Sequence, residues 1–367
     1  MKVEALNHFV LGNKVAKLPI VQGGMGIGIS MSGLASAVAN EGGIGVISAA
    51  GVGLFDHQNK QDKDRYVIAL KAEIRKTRQL TNGIIGVNIL VALSNFHELA
   101  KAAIEEGIDI IFAGAGLPLD LPSLLDQDSS TKLIPIISSG RAAKLIIQKW
   151  VSKYGYIPDG FVLEGPKAGG HLGFKKDQID DEEYDLEKLL PQVLEAVKPF
   201  EEMYSKKIPI IVGGGIYTGE DIYYFMSHGA SAVQMATRFV TTEECDASLE
   251  FKQAYINAER EDIVIIDSPV GLPGRAVKNP FLEEVYNGLR HPFSCPFNCI
   301  STCKKEQAPY CISLALYNAK KGKMNNGFAF AGTNAYLAKA IVSVKDLISS
   351  LKQEYLDAFR KKLSPTL

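Results

Sequence analysis

The run VLEGPKAGGHLGF places His171 among Gly165, Gly169, Gly170 and Gly173, directly after an apolar strand that ends at Glu164. An imidazole titrates near neutral pH and can take or give a proton, so His171 is the candidate catalytic group. The other histidines, His8, His57, His97, His228 and His291, fall in helix-like or connecting stretches and receive no role. In IPIIVGGGIYTGEDI, Gly213, Gly214 and Gly215 follow a second apolar strand, and Thr218, Glu220 and Asp221 mark a helix start. Amides without side-chain bulk can cradle a phosphate, and late βα loops of barrels often carry one, although ligand-free turns use the same residues. Thr237 and Arg238, from the next strand end AVQMATRF, could join these amides on one phosphate. A surface salt bridge is the alternative for Arg238. The first loop, QGGMGIG, lacks the full G-x-G-x-x-G pattern with its later acidic residue, which speaks against a dinucleotide fold, yet such glycines let a flat ring lie against backbone.

Cys295, Cys299, Cys303 and Cys311 form a cluster in a chain with one other cysteine, Cys245. On a helix, steps of four would bring the first three to one face, where thiolates could hold zinc or an iron–sulfur cluster with Cys311 as fourth ligand. Core thiols on an amphipathic helix are the favoured alternative, since Pro296 disturbs a regular helix and apolar Cys packs as a small core residue. No metal is therefore expected.

Roughly eight short apolar runs alternate with helical patterns, among them PIVQGG, GIGVISA, IIGVNILV, DIIFAGAG, KLIPIISS, GFVLEG, IPIIVGGG and ASAVQMATRF. Strands apolar throughout suggest a parallel sheet covered on both faces. Gly23–Gly24, Asn88, Gly114, Ser138–Ser139, Glu164, Gly213–Gly215 and Gln234 each follow a strand, as the active-site rim of a barrel requires. The expected fold is an α/β TIM (β/α)8 barrel over residues 1–243 and 330–367, with a mainly helical, cysteine-containing subdomain inserted at 244–329. A doubly wound open sheet is the alternative.

A formal net charge of -1 gives no footprint for nucleic acid or an anionic membrane, so a small molecule is the expected partner and homo-oligomerisation stays open. The opening residues carry scattered charges and no apolar signal core, and the uncharged stretch 19–40 is too rich in glycine and serine for a membrane span, which together suggest a cytoplasmic protein.

PIVQGGMGIGIS, AVANEGGIGVIS, GVNILV, LEGPKAGGHLG, IPIIVGGGI and VQMATRF occur in this order, and together they resemble the nitronate monooxygenase family, which includes FMN-dependent enoyl-acyl-carrier-protein reductases. The resemblance spans about residues 18–240, with GLPGRAVKNPF and FAFAGTNA as further echoes. It implies FMN on the barrel rim: Gly23, Gly24 and Met25 along the flavin ring, Asn88 at ring or ribityl atoms, and Glu164, Gly169 and Gly170 on the ribityl side. It places Gly214, Gly215, Gln234 and Thr237 around the phosphate, and it makes His171 the base at the substrate carbon. The implied activity is oxidation of alkyl nitronates or nitroalkanes with oxygen; the alternatives are an NAD(P)H-dependent enoyl-thioester reductase and a flavin-binding barrel without turnover. The chain departs from the family pattern at Ser138–Ser139, where many members carry His-Lys, and at Lys167, where the reductases more typically have an acidic residue.

Overall fold

The computed structural model describes residues 6, 8–55, 64–290, 295, 297–303 and 306–363; His57, His291 and Pro296 lie outside them. Eight parallel strands run in chain order around the centre: β1 (Ile20–Gln22), β2 (Gly45–Ser48), β3 (Ile85–Leu90), β4 (Ile110–Gly114), β5 (Lys132–Ile137), β6 (Phe161–Glu164), β7 (Ile210–Gly213) and β8 (Ala232–Met235). β8 returns to β1, with Val233 opposite Ile20. A parallel bridge between Val21 and Ile44, with the Gln22 amide donating to the Ile44 carbonyl at 2.9 Å, closes the ring at β2. The chain therefore forms a barrel and not an open sheet.

The strands are apolar at successive positions because both of their faces are buried. Val21, Val46, Phe112, Ile134, Val162, Ile211 and Ala232 fill the barrel interior, joined from one end by Phe9, Leu11 and Ala16 of an N-terminal hairpin. Ile20, Ile47, Val87, Ile111, Leu133, Leu163 and Val212 face the helical ring. Gly86 is required inside: a Cβ there would come within 2.7 Å of the Phe112 ring.

The helices α1 (Ser32–Asn40), α2 (Arg65–Leu80), α3 (Phe96–Glu105), α4 (Gly140–Tyr154), α5 (Leu186–Tyr204) and α6 (Gly219–Ser227) cover the outside. A short 3₁₀ turn at Leu121–Leu124 takes the place of a helix between β4 and β5. Ser139 caps α4, accepting from the Ala142 amide. At α6, Thr218 and Asp221 cap each other's amides, an arrangement that satisfies otherwise orphan N–H groups. After β8 come α7 (Thr237–Val240) and α8 (Leu249–Ile256), then an antiparallel pair, β9 (Ile263–Asp267) and β10 (Pro273–Val277). Next follow α9 (Pro280–Tyr286), α10 (Ile312–Lys320) and finally α11 (Val344–Leu363), which lies against α6. Val270, Ala276, Phe281, Tyr310, Ile312 and Phe328 form a separate small core for the segment after β8.

The end of the barrel that carries the hairpin is tied by charge. Asp109 accepts from Lys14 and Arg78, and Asp159 accepts from Lys206 and from the Leu133 amide. Conserving stability at one end leaves the other, C-terminal end of the strands to build a site. Among the described residues, no helix is long and apolar enough to cross a membrane.

Candidate active site

The C-terminal ends of the strands surround a cavity of about 570 Å³, which is lined by every residue assigned above to the flavin or to catalysis. From β1, Gly23 donates its amide to the Met235 carbonyl at 2.9 Å, and the Met25 amide is held by Ser30 Oγ at 2.8 Å. A Cβ on Gly24 would come within 2.4 Å of the Asn88 Cβ, so the loop can cross the end of β3 only as glycine. Ser138 lines the cavity, whereas Ser139 is spent on capping α4. Glu164, at the end of β6, has no ion pair among the described residues, and burial alone raises its carboxyl to about 7.

The loop after β7 holds Gly214 at φ 106° and Gly215 at φ 82°, conformations that favour glycine. The N–H groups of both donate to no protein acceptor among the described residues. Thr237 Oγ1 accepts from the Gly332 amide at 2.9 Å, and Asn334 Nδ2 donates to the Gly215 carbonyl at 2.7 Å. Free amides, a hydroxyl and glycine backbone thus converge where an anion such as a phosphate could be held. Arg238 does not join them: its guanidinium lies 4.5 Å from the Tyr217 ring centroid and 3.8 Å from Glu354. Successive helical residues diverge by about 100°, so a turn that aims Thr237 into the cavity sends Arg238 outward, and the salt-bridge alternative holds.

His171 is fixed by the segment after β8. Gly170–His171 forms a short third strand on β10, with His171 opposite Gly274, and the Leu172 amide donates to the Pro273 carbonyl at 2.9 Å. His171 Nε2 lies 2.7 Å from Ser268 Oγ, and the Phe330 ring meets the imidazole edge-on at 4.9 Å. Burial lowers His171 to about 4, and no charged side chain contributes; the ring is neutral at physiological pH. The buried Arg275 donates to the carbonyls of Pro166 and Ala168, clamping the loop that leads to Gly169 and Gly170. Lys167 turns to Asp185 at 2.9 Å. A Cβ on Gly169 would come within 2.5 Å of the Ala331 backbone.

Ser268, Arg275, Phe330 and Asn334 were not singled out from sequence. GLPGRAVKNPF and FAFAGTNA hold three of them and were noticed, but only the pairing of β10 with His171, about 100 residues earlier, shows what they do. Ser268 has no motif to announce it.

The described residues from Cys295 to Cys303 form no helix, and Asn298 takes φ 47°, so the helical-face argument for the thiols does not apply. Cys295, Cys299, Cys303 and Cys311 instead surround a cavity of about 20 Å³ beside Tyr310. Cys299 Sγ lies 3.2 Å from Ser313 Oγ, and burial raises the Cys299 and Cys311 thiols. Among the described residues no His, Cys, Asp or Glu group is arranged to hold a metal ion. Residues 298–301 cross the rim instead, pairing with 92–94 through the Ser301 amide on the Ala92 carbonyl and the Ser94 amide on the Cys299 carbonyl.

The family model for nitronate monooxygenase matches residues 9–354. A protein from Staphylococcus aureus named probable nitronate monooxygenase is 29% identical over 296 residues, covering 73% of this chain and 77% of its own. A hydroxy-methyl-oxo-octahydroindene-carboxyl-CoA dehydrogenase from Mycobacterium tuberculosis is 27% identical over 272 residues, which are 74% of this chain and 66% of that protein's length. Among solved structures, FabK from Thermotoga maritima superposes with a TM-score of 0.74 at 27% identity, covering 95% of this chain and 96% of that one. Nitroalkane oxidase from Streptomyces ansochromogenes shares the fold, with a TM-score of 0.72 at 22% identity over 95% of this chain and 98% of that one.

Proposed function

The chain belongs to the nitronate monooxygenase family of oxidoreductases, and from that premise we propose that it is a cytoplasmic FMN-dependent enzyme that oxidises alkyl nitronates or nitroalkanes with oxygen. The observation that carries this reading is the convergence, in one cavity, of a glycine cradle with free amides and a neutral, half-buried histidine. The residues fit FMN: Gly214, Gly215 and Thr237 suit its phosphate, and Glu164 suits ribityl hydroxyls because its carboxyl has no ion pair among the described residues. Gly23, Gly24 and Met25 would flank the ring, with Asn88, Gly169, Gly170 and Gln234 around it. When bound, FMN would accept the electrons that the substrate gives up.

The chain's own part is proton handling and exclusion of water. His171, neutral above about pH 4, takes the proton from the carbon beside the nitro group, and the electron pair stays on the substrate as nitronate. Leu54, Leu93, Phe297, Ile300 and Phe330 give the cavity an apolar wall that suits an alkyl chain. The likeness to FabK over 95% of the chain favours a second reading, an NAD(P)H-dependent enoyl-thioester reductase.

The test is anaerobic mixing of purified yellow protein with propyl nitronate, or with NAD(P)H followed by an enoyl thioester. Bleaching by the nitronate supports the first reading, and bleaching only by NAD(P)H moves the assignment to the second. Release of FAD, or no flavin after reconstitution, overturns both.

A further inference from the structure

We propose that Ser268 is the positioning residue for His171: its hydroxyl keeps the ring proton on Nε2 and leaves Nδ1 to take the substrate proton. The inference rests on the reading of His171 as the base. Ser268 follows β9, lies 7% exposed and does not line the main cavity, whereas His171 does. Its Oγ is 2.7 Å from Nε2, and Nδ1 has no protein partner among the described residues. The ring cannot swing to exchange its nitrogens freely. Its backbone is paired to Gly274, the next amide is held by the Pro273 carbonyl, and Phe330 packs on the ring at 4.9 Å.

A hydroxyl suits this position for a physical reason. A neutral imidazole has one N–H and one lone pair, and the hydrogen bond at one nitrogen decides which of them the other nitrogen presents. With Nε2–H donating to Ser268 Oγ, Nδ1 presents the lone pair. When the substrate's C–H bond breaks, its proton goes to Nδ1 and its electron pair stays on the substrate. The Nε2–H bond to Oγ is then charge-assisted and stronger. A carboxylate in place of Ser268 would hold the same tautomer but would favour the imidazolium before substrate arrives; serine orients the ring and leaves it neutral.

The test joins a double-mutant cycle to a spectrum. ¹⁵N NMR of histidine-labelled holoenzyme reports which nitrogen carries the proton. The wild type is expected to show His171 protonated at Nε2, and protonation at Nδ1 would overturn the proposal without any variant. Ser268→Ala is expected to lower kcat for the neutral nitroalkane 2-nitropropane ~10- to 100-fold, the range for a hydrogen bond to a charged group, with KM within about twofold and unchanged flavin content, while Ser268→Thr restores kcat. In the His171→Ala background, Ser268→Ala should change nothing further, because a residue acting through His171 has no separate contribution. An equal loss in both backgrounds, or a Ser268→Ala enzyme with wild-type kcat and tautomer, overturns the proposal. If His171→Ala alone leaves kcat intact, the reading of the base fails and not this contact specifically.

Discussion

Replacing Glu164 with Gln should make the protein, freed of bound cofactor, more stable at pH 8 and leave it unchanged at pH 4. The carboxyl is raised from its ordinary value of 4.5 to about 7, and burial is the cause. A group whose folded value is raised contributes its stability fully below the unfolded value, and that contribution is lost as pH rises through the folded one. The window is thus pH 4.5 to 7. A gap of roughly 2.5 pH units at ~1.4 kcal/mol each gives an upper bound of about 3.5 kcal/mol, and water entering the cavity brings the expected effect to ~1–3 kcal/mol. Urea denaturation of wild type and Glu164→Gln at pH 4, 6 and 8 measures it, with the difference between the two curves cancelling every other titrating group. Parallel pH dependence of the two proteins would refute the burial argument. Saturating FMN should shrink the difference, since ribityl hydroxyls would replace lost water contacts at the carboxylate.

Gly215→Val should fold but lose FMN at least about tenfold in affinity, because a β-branched residue strains at φ 82° and its side chain meets Lys167; fluorescence titration of the apoprotein with FMN reads this. Activity at saturating substrate should be flat through neutral pH and fall only as pH approaches about 4, where His171 becomes charged, so a pH–rate profile with an acid limb near 6.5 would contradict its buried setting. Arg275→Met should destabilise by about 2–4 kcal/mol, since the carbonyls of Pro166 and Ala168 lose their donor in a buried place; thermal denaturation with and without FMN checks this.

Much of the site was legible because glycine and polar residues at strand ends have few reasons to recur except a shared rim. Gly24, Gly214 and Gly215 stand where a side chain would collide or strain; Glu164 closes an otherwise apolar strand, and Asn88 and Gln234 sit just short of the C-terminal ends of two others. Arg238 stayed open between phosphate ligand and salt bridge because adjacency in sequence does not fix which way a helical turn points. The support of His171 was invisible for a different reason. Ser268 and Arg275 act across a pairing between β10 and a two-residue strand, too short to leave any alternation pattern. The thiols were misread as a helical face because spacing alone cannot reveal the extended path that residues 298–301 take across the rim.

The most direct test is turnover of the neutral nitroalkane 2-nitropropane, which must lose its C–H proton, by His171→Ala in protein shown to hold stoichiometric FMN. Loss of a general base costs about 10²-fold or more, so the account predicts a yellow, folded protein with kcat reduced at least that far. A flavin-loaded His171→Ala enzyme with near wild-type kcat would contradict it.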